Sequence, residues 1–185
     1  MKNKTLDLAS YNSNFSIGSK LGRALWQMTY LLLFRPSPIP FFAWRNLLLR
    51  CFGARLEKGV HVYPSVKIWA PWNLEMGEYS CLASWVDCYC VATIVLGAHS
   101  TVSQYSYLCA ATHDYEDPKH RLLPGPINIG PAAWIAADVF IGPNVNIGEG
   151  AVIGARASVF KDIPAWCVAV GNPAKPQKKR VLKQI

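Results

Sequence analysis

From Ile129 onward the sequence falls into consecutive sixes: IGPAAW, IAADVF, IGPNVN, IGEGAV, IGARAS and VFKDIP. The first place of each is aliphatic, namely Ile129, Ile135, Ile141, Ile147, Ile153 and Val159, and the second is Gly or Ala in five of the six. Two residues ahead of each aliphatic stand Ile127, Ala133, Val139, Val145, Ala151 and Ala157, all small or apolar. A period of six fits neither the 3.6 of a helix nor the 2 of a strand. It fits a coil with three flat faces and a tight corner after each, the parallel β-helix that hexapeptide repeats encode. With three hexapeptides per turn, Ile129 stacks on Ile147, Ile135 on Ile153 and Ile141 on Val159. Each buried aliphatic contributes about 1.5–3 kcal/mol, so such columns can carry a fold.

The register continues upstream through Leu96, Val102 and Leu108, and through Met76 and Leu82, but with two interruptions. Met76 to Leu96 is twenty residues, which places a small bulge near Asp87–Ala92. Leu96 to Ile129 is thirty-three, and the surplus falls in the polar loop 110–126 (AATHDYEDPKHRLLPGP). A long excursion from a regular coil is where function concentrates. Open coil ends need caps, and the two flanking segments can supply them.

The N-terminal segment reads as two helices. Leu21, Leu25, Met28 and Leu32 recur at helical spacing across residues 20–34, with Ser19 as the expected cap and Pro36 as the stop. A second helix is expected from Pro40 to Phe52, ended by Gly53. Neither approaches the ~20 apolar residues of a membrane span. Two readings are open for residues 20–52: a helical pair packed on its own β-helix, or a basic, aromatic surface in peripheral contact with an anionic membrane.

Composition narrows the function. Half of the 185 residues are hydrophobic and only 16% are charged, which excludes a disordered chain. The net charge of +8 is divided. Residues 1–58 carry nine basic and two acidic residues, residues 59–170 five and nine, and residues 171–185 five and none. An acidic middle excludes a uniformly basic nucleic-acid binder, so no nucleic-acid partner is expected. These three segments are the expected organisation: a helical extension, the repeat body, and a basic tail. Met1–Ser19 lacks the apolar core of a secretory signal. The six cysteines show no metal-ligand spacing with the four histidines. Reduced thiols, a cytoplasmic setting and no metal are expected.

Four stretches now join into a pattern: THDY at 112–115, the six repeats, KDIP at 161–164 and GNPAK at 171–175. Over residues 60–176 the chain resembles the hexapeptide-repeat acyltransferases, most of all the colanic-acid-biosynthesis (WcaF-like) type and the galactoside and nodulation acetyltransferases. The resemblance implies an all-β fold, a left-handed parallel β-helix with N-terminal helices and a loop inserted between coils. That hand opposes the usual crossover preference and follows from the family, not from the period. It also implies a homotrimer, acetyl-CoA as co-substrate and O-acetyl transfer.

His113 opens the long loop where family members carry their catalytic histidine, and imidazole suits a base that takes a hydroxyl proton near neutrality. His120, flanked by Lys119 and Arg121, reads as a solvated bystander. His61 and His99 read as structural hydrogen-bonding residues. A carboxylate or carbonyl should orient the base; Asp87 and Asp114 are the candidates, for that role or for acceptor binding. The resemblance puts Trp134 beside the pantetheine arm and Ala137 and Ala155 where small side chains admit it. Phe160 stands where relatives often have Thr. Lys161 matches a position near the CoA phosphates, and Lys175 and Lys178 match two basic positions near the nucleotide. Cys109, directly after the inward Leu108, reads as structural, which leaves direct attack in a ternary complex.

The expected acceptor is a sugar hydroxyl on a polysaccharide precursor, which a lipid can carry. A small xenobiotic or a free sugar is the alternative acceptor. A metal enzyme resembling the γ-type carbonic anhydrases is a further alternative, although His113 and His120 lack the paired spacing of those enzymes.

Overall fold

A computed structural model of the protein describes residues 15–183. The ends of the expected N-terminal extension and basic tail, with most of the stretch read for a secretory signal, lie outside the described residues. The body is the expected left-handed parallel β-helix of about six coils. Its first face stacks Arg55–Leu56, Leu74–Met76, Ile94–Leu96, Ile127–Ile129 and Asn146–Ile147. The second face runs from His61–Val62 to Cys167–Val170, and the third from Lys67–Ile68 to Ser158–Val159.

The predicted columns are present: Ile129 pairs with Ile147, Ile135 with Ile153, and Ile141 with Val159. All six side chains are buried, each at most 2% exposed. The small second residue has the expected reason. A Cβ on Gly130 would lie 2.6 Å from the backbone nitrogen of Glu149 in the next coil.

The interruptions differ from expectation in a specific way. Six residues always separate the first face from the second and the second from the third, as in Leu56, Val62, Ile68 and in Leu96, Val102, Leu108. From the third face back to the first the spacing varies: eight residues from Ile68 to Met76, eight from Cys88 to Leu96, and twenty-one from Leu108 to Ile129. It is six from Ile141 to Ile147 and four from Val159 to Ile163. All irregularity sits on one edge of the prism. The expected bulge at Asp87–Ala92 is present but starts later than Asp87, which belongs to the regular strand Asp87–Tyr89; the extra residues follow that strand. A similar excursion, the turn Pro71–Asn73, escaped the sequence reading.

Two helices cover the first coil. α1 (Ile17–Thr29) continues into a π-helical turn, Tyr30–Phe34, and α2 spans Phe42–Cys51. The cap of α1 is Ser16, whose hydroxyl accepts from the Ser19 amide, so Ser19 is not the cap. α2 starts after Phe41, two residues beyond Pro40. Trp26, Tyr30 and Phe34 form the buried face of α1 and its extension. The predicted face of Leu21, Leu25, Met28 and Leu32 is not that face; all four remain exposed.

In a parallel coil, each turn accepts hydrogen bonds from the turn before it, and the first turn has none. His61 and Tyr63 donate forward to Ser80 and Leu82, which leaves the corresponding carbonyls of the first coil open. Side chains of the helical segment fill them. Arg50 donates to Leu56, Asn46 to Val60, Arg45 to Val62 and Trp26 to Ile68. At the far end the strand Lys175–Lys179 pairs antiparallel with Cys167–Val170 and closes the second face. Arg180 pins this strand by donating to the carbonyls of Ala132 and Gly150, both at 2.9 Å.

Candidate active site

The long insertion is an antiparallel hairpin that leaves the variable edge, pairing Ala111–His113 with Leu122–Pro124. Its tip holds itself by local bonds. Asp114 accepts from the Glu116 amide, Asp117 accepts from the Lys119 amide, and Arg121 pairs with Asp117. His113 stands exposed on the first strand of the hairpin. Its Nδ1 lies 2.6 Å from the carbonyl oxygen of His120.

That contact assigns the ring. A carbonyl only accepts, so Nδ1 carries a proton and donates, which makes Nε2 the nitrogen with the free lone pair in the neutral ring. The orienting group expected beside His113 is thus a backbone carbonyl. The carboxylates proposed for this role are engaged elsewhere, Asp87 with Lys67 at 3.8 Å and Asp114 in its own turn. His120 contributes its backbone, held at a φ of 46°, while its imidazole plays no part in the contact.

Asp87 lies instead on the outer surface of the third face, in a row with Lys67 and Tyr107. α1 lies over this row, and between them is a cleft of about 640 Å³. Arg23, Tyr30, Lys67, Trp69, Asp87 and Tyr107 are among its lining residues. Burial pushes the Asp87 carboxyl above its ordinary range, with Lys67 opposing the shift. Burial, and then the Cys109 thiol, push the Tyr107 phenol up. Two polar atoms at this wall, Arg23 Nε and Tyr30 Oη, are buried with no hydrogen-bond partner among the described residues. Buried polar groups are normally satisfied, so this cleft suits a polar ligand. An aromatic series, Trp69–Tyr89–Tyr107–Phe140–Phe160, leads from the cleft across the third face with ring separations of 5.1 to 6.3 Å.

Of these residues, sequence reasoning singled out only Asp87 and Phe160. Lys67, Asp87 and Tyr107 follow one another at twenty residues, so a search at that period would have stacked them.

The residues expected to hold a cofactor divide between two edges. Trp134 is half-exposed on the second face, its indole donating to the Ser103 hydroxyl at 3.0 Å. It shares a row with Val152, Val168 and Lys178. With strands ~4.8 Å apart, Lys178 lies roughly 14 Å from it. Lys175 is on the same terminal strand, opposite Val170. Ala137 and Ala155 lie at the corner that follows, in a concavity of about 410 Å³ shared with Tyr105, Asp138 and Arg156. Phe160 and Lys161 are across the third face, on the variable edge that also bears the hairpin of His113. One chain therefore brings Trp134, Ala137, Ala155, Lys175 and Lys178 to one side, and leaves His113, Phe160 and Lys161 on another.

The remaining candidates resolve simply. His61 and His99 stack on Phe42 and Tyr79 instead of serving mainly as hydrogen-bonding residues. All six cysteines are free thiols. Cys109 donates to the Ala111 carbonyl at 3.2 Å. Among the described residues no three His, Cys, Asp or Glu side chains converge as metal ligands would.

Comparison with known proteins follows the same line. Over 177 residues the chain is 42% identical to the putative colanic acid biosynthesis acetyltransferase WcaF of Escherichia coli (strain K12), covering 95% of this chain and 97% of that one. A putative acetyltransferase of Schizosaccharomyces pombe is 46% identical over 92 residues, 48% of this chain and 44% of its own. Among solved structures, a maltose O-acetyltransferase from Clostridium difficile 630 matches with a TM-score of 0.81 at 26% identity, over 90% of each chain. A galactoside acetyltransferase in complex with coenzyme A matches with a TM-score of 0.76 at 26% identity, over 90% of this chain and 84% of that one. No family model matches the chain.

Proposed function

We propose that this chain, which belongs to the WcaF-like hexapeptide-repeat acetyltransferases, moves an acetyl group from acetyl-CoA to a sugar hydroxyl of a polysaccharide precursor. The observation that carries the mechanism is the 2.6 Å contact of His113 Nδ1 with the His120 carbonyl. It leaves Nε2 as the base, and a positioned base of this kind contributes about 10²–10⁴-fold.

Acetyl-CoA supplies an acyl group already activated as a thioester. His113 Nε2 takes the proton of the attacking hydroxyl while that oxygen bonds to the acyl carbon. The carbon–sulfur bond breaks, and the imidazolium returns the proton to the departing thiolate. The His120 carbonyl accepts from Nδ1–H in both the neutral ring and the imidazolium, and so holds the ring in one orientation throughout.

The chain's residues fit the co-substrate. The alanines at the 410 Å³ concavity leave backbone groups uncovered for a narrow, amide-bearing arm. Exposed Lys175 and Lys178 make no ion pair among the described residues and can neutralise phosphates. Because these groups and His113 lie on different edges of one chain, the reading places the site between neighbouring subunits of a trimer. The 640 Å³ cleft, with Asp87, Lys67 and the unpartnered Tyr30 Oη, suits a polyhydroxylated acceptor.

The test is His113→Ala. It should lower acetyl transfer about 10²–10⁴-fold while acetyl-CoA still binds. Turnover at the wild-type rate would remove His113 from the mechanism.

A further inference from the structure

Helix α1 presents three distinct stripes. Trp26 faces the core, together with Tyr30 and Phe34 of the π turn. Lys20, Arg23, Ala24 and Gln27 line the cleft. Leu21, Leu25 and Met28, continued by Leu32 of the π turn, make the third stripe, and they are 66, 58, 60 and 68% exposed. At 3.6 residues per turn the apolar stripe stands roughly 100° around the axis from the cleft stripe. The patch continues onto the second helical segment, where Phe41, Trp44 and Leu47 are also exposed. The Trp44 indole donates to the Leu33 carbonyl at 3.0 Å, which satisfies its N–H and ties the two segments together.

Contiguous exposed apolar surface of this kind marks an interaction site. Its surroundings select the occupant. Residues 8–56 contain six basic residues and no Asp or Glu. Lys20, Arg35 and Arg50 are exposed, and among the described residues none of them forms an ion pair. The same segment of a second copy would bring the same positive field and be repelled. An anionic surface is attracted, and a helix with one apolar face and cationic flanks lies in the plane of such a surface.

We infer that the exposed stripe of α1, with Phe41 and Trp44, docks on a bilayer of anionic phospholipid. The consequence for the site rests on the reading above. The cleft stripe of the same helix then lies beside the headgroups, which suits an acceptor carried on a lipid.

Co-sedimentation with vesicles of phosphatidylethanolamine and phosphatidylglycerol tests this without acetyl-CoA. The full chain should pellet with them at low salt, remain in the supernatant with pure phosphatidylcholine, and release as salt rises. Leu25→Gln with Leu32→Gln should lower the bound fraction about tenfold while the melting temperature and acetyl transfer to a water-soluble acceptor stay unchanged. Failure of the wild-type chain to pellet, or pelleting of the variant like wild type, overturns the inference. So does a change in subunit stoichiometry of the variant in sedimentation velocity, which would assign the stripe to a second copy. A chain that docks but transfers no acetyl group defeats the proposed function and leaves the docking surface standing. A chain that transfers but does not dock does the reverse.

Discussion

Arg45 donates its Nε to the carbonyl oxygen of Val62 at 2.6 Å, from a position with no exposure to solvent. The same guanidinium donates to Ser37, Pro38 and Ile39, so it joins the open edge of the first coil to the turn between the helices. No carboxylate is needed, because four neutral acceptors share the charge. Arg45→Leu leaves these acceptors unpaired and should cost about 3 kcal/mol. Arg45→Lys should recover little of it, since an ammonium cannot span the same fork. Denaturant melts of both variants check this, and wild-type stability in either would contradict the capping role.

His120 orients the base through its carbonyl, so its side chain should be dispensable. Its φ of 46° is one that glycine adopts freely. His120→Gly should therefore keep acetyl transfer within about threefold of wild type, whereas His120→Pro, which forbids that φ, should abolish it. Steady-state kinetics on both variants separate a backbone role from an imidazole role.

Lys175 and Lys178 sit on the terminal strand of the second face, with no carboxylate paired to them among the described residues. Lys175→Glu with Lys178→Glu should raise KM for acetyl-CoA about tenfold, equivalent to ~1.4 kcal/mol, and leave kcat near wild type. The difference should shrink in high salt. An unchanged KM at low salt would reassign the strand to solubility.

Asp87 offers a pH signature. Its carboxyl is raised by burial, so the folded chain holds that proton more tightly than the unfolded chain does. Stability from this group is therefore full below the unfolded value, near ~3.9, and is lost as pH rises through the higher folded value. Asp87→Asn should melt like wild type below that window and higher than wild type at neutral pH. Lys67→Met should steepen the loss, since the opposing charge is gone. Thermal melts across pH 3 to 8, roughly the carboxylate window and beyond, decide it; parallel curves for wild type and Asp87→Asn would refute the shift.

The β-helix was legible in the sequence because its signal is additive. Six aliphatics in register from Ile129 to Val159 each repeat the same instruction. The orientation of α1 was not legible, because its most regular apolar stripe, Leu21–Leu25–Met28–Leu32, is the one left outside. The buried stripe, Trp26–Tyr30–Phe34, is aromatic and runs at a four-residue spacing into a π turn, so it competes with the leucine stripe at the same period. His113 stood out by its place in the loop. Its partner did not, since any residue can lend a carbonyl and only folding of the hairpin chooses which one. Arg45 and Asn46 gave no signal either. A polar pair inside an apolar helix looks like solvated surface until the unpaired carbonyls above it are known.

The edge where coil spacing runs eight, eight, twenty-one, six and four has a consequence for how such proteins diversify. The other two edges fix the angle and rise of every coil, so chain can be added or removed at the third without rotating anything downstream. That edge behaves as an open socket in a rigid rack. The hairpin bearing His113 is one part plugged into it, and a shorter or longer part in the same socket would meet a different acceptor with the same β-helix behind it.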